Sequence, residues 1–205
     1  MRGVETLAGS LTETLQRAAA HERLVFLCSF QKEESVILDE LLEIAPHAAV
    51  VTIDTGVLFE ETLATWRAFE QRFGVRIEVE DASAAAGVWT GPDHCCGADK
   101  VAALERALAG ADAWVTGLRR EQGPTRAQTD LVEVDSGRGG IAKYSPLAYW
   151  TGRDLWARIQ ERGLPYHPLH DHGYESIGCA PCTRPGSGRE GRWAGSEQTE
   201  CGLHV

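Results

Sequence analysis

The 205-residue sequence lacks any hydrophobic run long enough to cross a lipid bilayer. It also lacks a basic N-terminal segment followed by an apolar stretch, which is the pattern of a secretory leader. We therefore expect no membrane association and a cytoplasmic location, where cysteines stay reduced. In such a compartment, closely spaced cysteines more often bind metal or carry out redox chemistry than form disulfides.

Positive charge is also scarce, with 20 lysines and arginines against 30 aspartates and glutamates and a formal net charge of −10. General nucleic-acid binding needs a basic surface that neutralises phosphates, so we expect no nucleic-acid partner. Any anionic substrate must instead meet cations that are concentrated locally. Seven cationic residues lie beside the cysteine or glycine motifs: Lys100, Arg119, Arg120, Arg126, Arg184, Arg189 and Arg192. For Arg126, an ordinary surface position explains its presence equally well.

Internal repeats and low-complexity linkers are absent as well, which favours a single folded unit. The apolar fraction of 43 % and the charged fraction of 24 % are typical of a globular protein. We assign residues 1–205 to one domain and treat residues 185–205, which begin with a glycine- and serine-rich stretch, as a mobile C-terminal tail. The sequence is compatible with a homo-oligomer.

Apolar runs alternate with helical patterns along the chain, which predicts an α/β fold with a mainly parallel twisted sheet and flanking helices. Strands are predicted at residues 23–29, 49–53, 75–79, 113–117, 131–135 and 141–144, the last two forming an antiparallel hairpin. Helices are predicted at residues 4–20, 59–73, 98–109 and 152–160, with another that carries residues 36–42.

Five of the six cysteines form two pairs and a singleton. Cys179 and Cys182 make a Cys-x-x-Cys pair, Cys95 and Cys96 are adjacent, and Cys201 lies near the end of the chain. Four thiolates supplied two by two suit a structural zinc ion or an iron–sulfur cluster. Adjacent side chains usually point apart, which suits two iron atoms better than the small tetrahedron around zinc. A 4Fe-4S cluster is therefore favoured, with zinc as the alternative.

Several longer motifs resemble those of assimilatory adenylyl-sulfate reductases. In the C-terminal half they are the Pro165 to Arg184 stretch with its Cys-x-x-Cys pair, Arg189-Glu-Gly-Arg-Trp193 and Glu200-Cys-Gly-Leu-His204. Upstream they are Ile53-Asp-Thr-Gly56, Cys95-Cys96 with Lys100, and Thr116-Gly-Leu-Arg-Arg-Glu-Gln122. The resemblance covers nearly the whole chain from about Leu24. It implies an adenine nucleotide α-hydrolase-like fold and the thioredoxin-dependent reduction of adenosine 5′-phosphosulfate to sulfite and AMP.

The resemblance also implies roles for individual residues. Cys201 would be the nucleophile that becomes S-sulfonated, assisted by the catalytic cations Lys100, Arg189 and Arg192. The metal ligands of the 4Fe-4S cluster would be Cys95, Cys96, Cys179 and Cys182. Arg119 and Arg120 would bind the substrate anion, and Asp54, Thr55 and Gly56 would line the adenosine pocket. A helix cap followed by a turn explains these last three residues equally well.

The turn after the first strand, Ser29-Phe-Gln-Lys-Glu-Glu-Ser35, contains no glycine. Related ATP pyrophosphatases carry a glycine-rich Ser-Gly-Gly-x-Asp-Ser loop here, and a helix N-terminus after a strand binds phosphate through its backbone N–H groups. Without glycine, the backbone wraps a pyrophosphate less closely. We therefore predict that Ser29, Phe30 and Gln31 hold one phosphate or sulfate end of a nucleotide without ATP cleavage.

Two other functions remain open. Reduction of 3′-phosphoadenylyl sulfate is the second enzymatic interpretation, although enzymes of that class generally lack the two cysteine pairs. The third interpretation is a non-catalytic, zinc-stabilised nucleotide-binding module in which Cys201 is incidental. His167, His170 and His172 precede the Cys-x-x-Cys pair and could complete a zinc site, but four cysteines already suffice. Cys28 is interpreted as a small core residue.

Replacing any one of Cys95, Cys96, Cys179 or Cys182 by serine should abolish iron binding, because one iron atom would lose its protein ligand. Iron and sulfide analysis of anaerobically purified protein measures this directly, with Cys28→Ser as the control that should retain its metal. Full iron content in two or more of the four variants, or one zinc ion per chain in the wild type, would show that the proposed ligand set is wrong.

Overall fold

The structure, a computed structural model, describes residues 2–83, 91, 96–193, 200 and 203, with side chains from residue 6 onward. Cys95 and Cys201 lie outside the described residues. Among the helices within these ranges, each is too short or too polar to pass through a lipid bilayer.

A six-stranded sheet occupies the centre of the described chain. Its strands are β1 (Leu24–Leu27), β2 (Ala49–Asp54), β3 (Glu78–Asp81), β4 (Ala113–Val115), β5 (Val132–Asp135) and β6 (Ile141–Tyr144). They lie in the order β3-β2-β1-β4-β6-β5. Every neighbouring pair is parallel except β5 and β6, which are antiparallel. The predicted mainly parallel sheet with its hairpin is confirmed.

The long helices follow the predicted helical patterns and differ from them mainly at their ends. They are α1 (Arg2–Ala18), α2 (Lys32–Ile44), α3 (Glu60–Phe73), α4 (Ala98–Ala107) and α5 (Gly152–Arg162). Short 3-10 turns occur at residues 120–122, 124–126, 136–138, 168–172 and 180–182.

The third strand begins later than the predicted segment 75–79. Gly74 ends α3 in the left-handed conformation, and the Ile77 N–H then donates to Glu70 Oε1 at 3.0 Å. Because this side chain takes the Ile77 donor, pairing with β2 begins only at Glu78, opposite Val51.

Two apolar cores lie on opposite faces of the sheet, which explains the continuous apolar run of β1. Leu24 and Phe26 belong to the core that α1 and α2 cover, whereas Val25 and Leu27 belong to the second core. Alternate residues of a strand point to opposite faces, so a strand buried on both faces must be apolar throughout. The second core also contains three cysteines, namely Cys96, Cys179 and Cys182.

The strand order fixes where a ligand can bind. The chain runs outward from β1 through β2 to β3 on one side, and β4 lies on the other side of β1. The connections leaving β1 and β4 therefore diverge and open a crevice at the carboxyl ends of these two strands.

Part of the predicted mobile tail is bonded to the rest of the chain. The Gly186 N–H donates to Gly173 O at 3.0 Å, and the Arg184 N–H donates to Gly191 O at 2.8 Å. The first bond places Gly186 against the segment that precedes the Cys-x-x-Cys pair, and the second joins Gly191 to the residue just before the tail.

Thr151→Ala should lower the free energy of unfolding by about 1 kcal/mol, because it removes the N-cap of α5. Thr151 Oγ1 accepts from the Asp154 N–H at 3.2 Å, and Asp154 Oδ2 accepts from the Thr151 N–H at 2.9 Å. Urea unfolding measures the change, with Gln160→Ala on the exposed side of the same helix as the control. Equal stability of the two variants would contradict a capping role.

Candidate active site

A cavity of about 980 Å³ opens at the carboxyl ends of β1 and β4. Its walls come from the turns after β1, β2 and β4, from the first turns of α4 and α5, and from parts of segment 173–192. A cavity of this volume accommodates a nucleotide-sized ligand.

Two carboxyl groups of the chain itself lie in the first turn of α2, directly after the turn that follows β1. Glu34 Oε2 accepts from the Gln31 N–H at 2.9 Å, and Glu34 Oε1 accepts from Ser29 Oγ at 3.1 Å. Glu33 Oε1 accepts from Arg119 Nε at 2.9 Å. The turn predicted to hold a phosphate or sulfate is therefore followed directly by two buried carboxyl groups.

The two carboxyl groups differ in charge. Burial alone would raise the pKa of Glu33, but the charges of Lys32 and Arg119 outweigh burial and bring the pKa down to about 2. Burial and the negative charge of Glu33 raise the pKa of Glu34 to about 7. The ionised form of Glu33 is therefore favoured, whereas burial and the charge of Glu33 favour the protonated form of Glu34.

The same turn anchors the segment that leads to the Cys-x-x-Cys pair. Gln31 Oε1 accepts from the Ile177 N–H at 3.0 Å, and Lys32 Nζ donates to Glu175 O at 3.0 Å. Ser29, Phe30 and Gln31 all line the cavity.

Phe30 has a special place in this turn. Its φ angle of 63° lies in the left-handed region, which costs energy in any residue with a side chain. Its ring stacks on Trp66 at 5.3 Å and contacts Phe69 edge-on at 5.8 Å. The ring thus packs into the core, which holds the backbone in this conformation at the cavity wall.

Three residues at the end of β2 and in the turn after it were predicted to line the adenosine pocket, and only one of them lines the cavity. Thr55 lines the cavity, and its buried hydroxyl is 3.1 Å from Cys179 Sγ. Asp54 Oδ1 accepts from the Gly56 N–H at 2.8 Å, and neither residue is part of the cavity wall. Asp54 and Gly56 therefore form a turn, which the sequence analysis gave as the alternative to lining the adenosine pocket.

Arg119 and Arg120 point in different directions. Arg119 is buried at the cavity and pairs with Glu33 at 2.9 Å and with Glu121 at 2.8 Å. Arg120 pairs with Asp130 at 2.6 Å and stacks over the Tyr149 ring at 4.5 Å, outside the cavity wall. Because Asp130 and Tyr149 hold its guanidinium on the outer side, the structure does not bring Arg120 to the site.

Cationic side chains gather at the end of the cavity near the cysteines. Four of them line this region: Lys100, Arg126, Arg189 and Arg192. The Trp193 ring lies 4.9 Å from the Arg189 guanidinium carbon and 4.8 Å from that of Arg192. We call these four cations the basic end of the cavity. Arg184 lies elsewhere and donates to Ala180 O at 3.2 Å.

Arg192 is held in position from several sides. Its Nη1 donates to Ser176 Oγ at 3.1 Å and to Ile177 O at 3.2 Å. The guanidinium lies so close to Gly178 that a Cβ there would be 2.6 Å from Nη2. Only glycine leaves room for this guanidinium.

Arg126 is a buried residue of the basic end, so the surface interpretation is wrong. It forms a two-point ion pair with Glu200, through Nε at 3.1 Å and Nη2 at 2.8 Å. Glu200 also accepts from Arg189 Nη2 at 2.6 Å. This carboxylate immediately precedes Cys201 in the chain.

Three of the four described cysteines are buried in the same core. Cys96, Cys179 and Cys182 all belong to the second apolar core. Trp193 Nε1 donates to Cys96 Sγ at 3.4 Å, and the Thr55 hydroxyl is within hydrogen-bond distance of Cys179 Sγ. The Trp193 N–H directed at sulfur stabilises a thiolate, and the Thr55 hydroxyl does the same when it is the donor, so these contacts fit a group bound through sulfur.

Within the described ranges, no group of three or more histidine, cysteine, aspartate or glutamate side chains has the spacing that would hold a single metal ion. Cys95, the remaining member of the two predicted pairs, lies outside the described residues, as does Cys201. Cys28 is buried in the first core, and burial raises the pKa of its thiol well above the usual value. Its interpretation as a core residue is confirmed.

Sequence reasoning missed four functional side chains: Glu33, Glu34, Trp193 and Glu200. The two acidic residues in the first turn of a helix after a buried strand are a usable signal for the first pair. Trp193 stands between arginine-rich and cysteine-bearing motifs, but its stacking depends on tertiary contacts. Nothing in the sequence pairs Glu200 with Arg126, since 74 residues separate them.

Glu34→Gln should change the pH dependence of stability. The pKa of Glu34 is raised from 4.5 to about 7 in the folded protein. The Glu34 carboxyl group therefore stabilises the folded protein fully below pH 4.5, and this stabilisation is lost as the pH rises through 7. From pH 5 to pH 8, the free energy of unfolding should fall less in the variant than in the wild type, by on the order of 2 kcal/mol. Urea unfolding at both pH values tests this, with Glu43→Gln on the exposed side of α2 as the control. Parallel curves for the wild type and Glu34→Gln would contradict a raised pKa.

Known proteins of similar sequence share most of this chain. It is 40 % identical over 196 residues to an adenosine 5′-phosphosulfate reductase of Lysinibacillus sphaericus (strain C3-41), covering 88 % of this chain and 84 % of that protein. It is 44 % identical over 201 residues to a phosphoadenosine 5′-phosphosulfate reductase of Gloeobacter violaceus, covering 90 % of this chain and 83 % of that protein.

Solved structures agree on the fold. A phosphoadenylyl-sulfate reductase from Candida auris, in a phosphate complex, superposes with a TM-score of 0.69 at 26 % identity, covering 85 % of this chain and 90 % of that one. An FMN adenylyltransferase from Candida glabrata superposes with a TM-score of 0.70 at 17 % identity, covering 90 % of this chain and 66 % of that one, which shows the fold alone. The predicted adenine nucleotide α-hydrolase-like fold is confirmed. Residues 23–185 match the phosphoadenosine phosphosulfate reductase domain, and the chain belongs to that family.

Proposed function

We propose that the protein reduces adenosine 5′-phosphosulfate to sulfite and AMP in sulfate assimilation, with a thioredoxin-like dithiol as the electron donor. Relatives at about 40 % identity carry the name adenosine 5′-phosphosulfate reductase. The observation that carries the proposal is the basic end of the cavity, whose arginines bond to Glu200, the residue before Cys201.

The distribution of charge in the cavity suits this substrate. Adenosine 5′-phosphosulfate has an anionic phosphosulfate at one end and a neutral nucleoside at the other. Lys100, Arg189 and Arg192 can neutralise the phosphosulfate, and guanidinium groups make charge-assisted bonds to sulfate and phosphate oxygens. Glu33 and Arg119 also line the cavity but neutralise each other, so this pair adds no net charge there.

Cys201 acts as the nucleophile in this scheme. Its thiolate attacks the hexavalent sulfur of the phosphosulfate. A bond forms between Cys201 Sγ and this sulfur, and the bond between the sulfur and the bridging phosphate oxygen breaks. AMP leaves with that electron pair, and the cations of the basic end stabilise its phosphate. The product is S-sulfonated Cys201. The same cations lower the pKa of a nearby thiol and so favour the thiolate.

A thioredoxin-like dithiol completes the cycle in a reducing cytoplasm. One of its thiolates attacks Cys201 Sγ, and sulfite leaves with the electron pair of the S–S bond. Its second thiol resolves the mixed disulfide and restores the Cys201 thiol. The sulfur of the substrate gains two electrons, and the dithiol becomes a disulfide. We propose that the tail, residues 185–205, moves during this cycle. Its movement lets Cys201 meet first the bound nucleotide and then the protein partner.

We also propose that Cys95, Cys96, Cys179 and Cys182 hold a 4Fe-4S cluster. The buried thiols and the hydrogen-bond donors directed at them support this ligand set. When bound, the cluster would supply a covalent link between the segment before α4 and the Cys-x-x-Cys segment. Lys100, in the first turn of α4, would thereby be held at the basic end.

His167 uses both ring nitrogens in hydrogen-bonding contacts and His170 uses Nδ1, whereas the buried His170 Nε2 has no hydrogen-bond partner among the described residues. His167 Nε2 lies 2.9 Å from Thr62 Oγ1, and its Nδ1 accepts from the Leu169 N–H at 3.3 Å. His170 Nδ1 is 2.7 Å from Tyr174 O. These bonds stabilise the 3-10 turn at residues 168–172.

Reduction of the 3′-phosphorylated substrate is the second candidate, favoured by the Gloeobacter violaceus relative at 44 % identity. Lys32 and Arg153 also line the cavity and are cations that a 3′-phosphate could meet. The two cysteine pairs support the substrate without that phosphate. The ratio of kcat/KM values for the two substrates separates the candidates, and a preference for the 3′-phosphorylated one would establish the second.

Wild-type protein incubated with adenosine 5′-phosphosulfate and no reductant should release about one AMP per site and gain the mass of one sulfonate on its C-terminal peptide, in the manner of a burst. Cys201→Ser should bind substrate and keep its iron but form no adduct, because a hydroxyl is far less acidic than a thiol. Mass spectrometry of the peptide and AMP quantification measure both, with Cys28→Ser as the control. An adduct on Cys28, or turnover by Cys201→Ser, would refute the nucleophile assignment.

A further inference from the structure

Glu200 has hydrogen-bond partners on both of its carboxylate oxygens. Oε1 accepts from Arg126 Nη2 at 2.8 Å and from Arg189 Nη2 at 2.6 Å. Oε2 accepts from Arg126 Nε at 3.1 Å and from Thr125 Oγ1 at 3.0 Å. Such two-point pairing of a carboxylate with a guanidinium fixes both the position and the orientation of the side chain.

This contact is shielded from solvent. The side chains of Glu200 and Arg126 are only 10 % and 9 % exposed, and that of Arg189 is 17 % exposed. Ion pairs at this depth are screened less than surface pairs. Arg126 is itself held by Gln122 Oε1, which accepts from its Nη1 at 2.6 Å. Glu200 is thus attached to a fixed point of the cavity wall.

We propose that Glu200 is a positioning residue, which fastens the chain next to Cys201 to the arginines at the basic end of the cavity. The inference rests on the proposed function for its role in catalysis, whereas the attachment itself can be tested without any substrate.

Two variants remove the attachment from opposite sides. Glu200→Gln keeps the shape of the side chain but not its charge, and Arg126→Gln leaves the residue before Cys201 unchanged. Glu40→Gln is the matched control, because Glu40 is a partly buried carboxylate, 13 % exposed, that pairs with Arg158 and lies outside the cavity wall.

Alkylation of Cys201 by iodoacetamide, followed on the C-terminal peptide over a range of pH, reports the attachment. Loss of the carboxylate lowers the thiol pKa and loss of the arginine raises it, so these electrostatic effects have opposite signs. Release of the chain around Cys201 should instead raise the alkylation rate that is reached at high pH, where the thiol is fully ionised. This rise should be on the order of tenfold in both variants. Glu40→Gln should alkylate like the wild type.

Single-turnover adduct formation supplies the catalytic arm. Glu200→Gln keeps both arginines, so its affinity for adenosine 5′-phosphosulfate should not fall, whereas adduct formation should slow by about tenfold. Unchanged limiting alkylation rates in both variants, an equal rise in Glu40→Gln, or a loss of affinity that accounts for the slower adduct formation would each overturn the positioning role. If the wild type forms no adduct at all, the proposed function fails, and the alkylation rates alone decide whether Glu200 fastens the chain.

Discussion

The pairing of buried charges is the constraint on which the site depends. An acidic protein that handles an anionic nucleotide must collect cations in one place, and buried cations are stable only when carboxylates or polar groups satisfy them. Glu33 neutralises Arg119, and Glu200 neutralises part of the charge of Arg126 and Arg189. Gln122 joins the two groups, because its side chain donates to Glu33 and accepts from Arg126.

The fold follows from patterns that are visible in the sequence. The run Leu24 to Leu27 is apolar at every position because β1 is buried on both faces, and this pattern identifies a central parallel strand. The start of β3 was not predictable in the same way. It depends on the bond from the Ile77 N–H to the Glu70 side chain, and hydrophobic periodicity carries no information about such a contact.

The candidate site was predictable in its motifs but not in the direction of its side chains. Arg119 and Arg120 are neighbours in sequence, yet one faces the cavity and the other faces Asp130 and Tyr149. Arg126 looked like a surface residue, because its partner Glu200 lies far along the chain. Local sequence indicates which residue types gather near a site, whereas tertiary packing decides which of them line it.

The affinity of Cys201→Ser for adenosine 5′-phosphosulfate, compared with its affinity for adenosine, tests the central claim most directly. Arg192 lies at the basic end, held between Trp193 and Gly178. When Arg192→Ala is added to Cys201→Ser, the binding free energy of adenosine 5′-phosphosulfate should weaken by on the order of 1.5–3 kcal/mol, because a charge-assisted contact is lost. Binding of adenosine should stay the same. Equal weakening of both ligands in a calorimetric titration would show that the basic end does not hold the substrate anion.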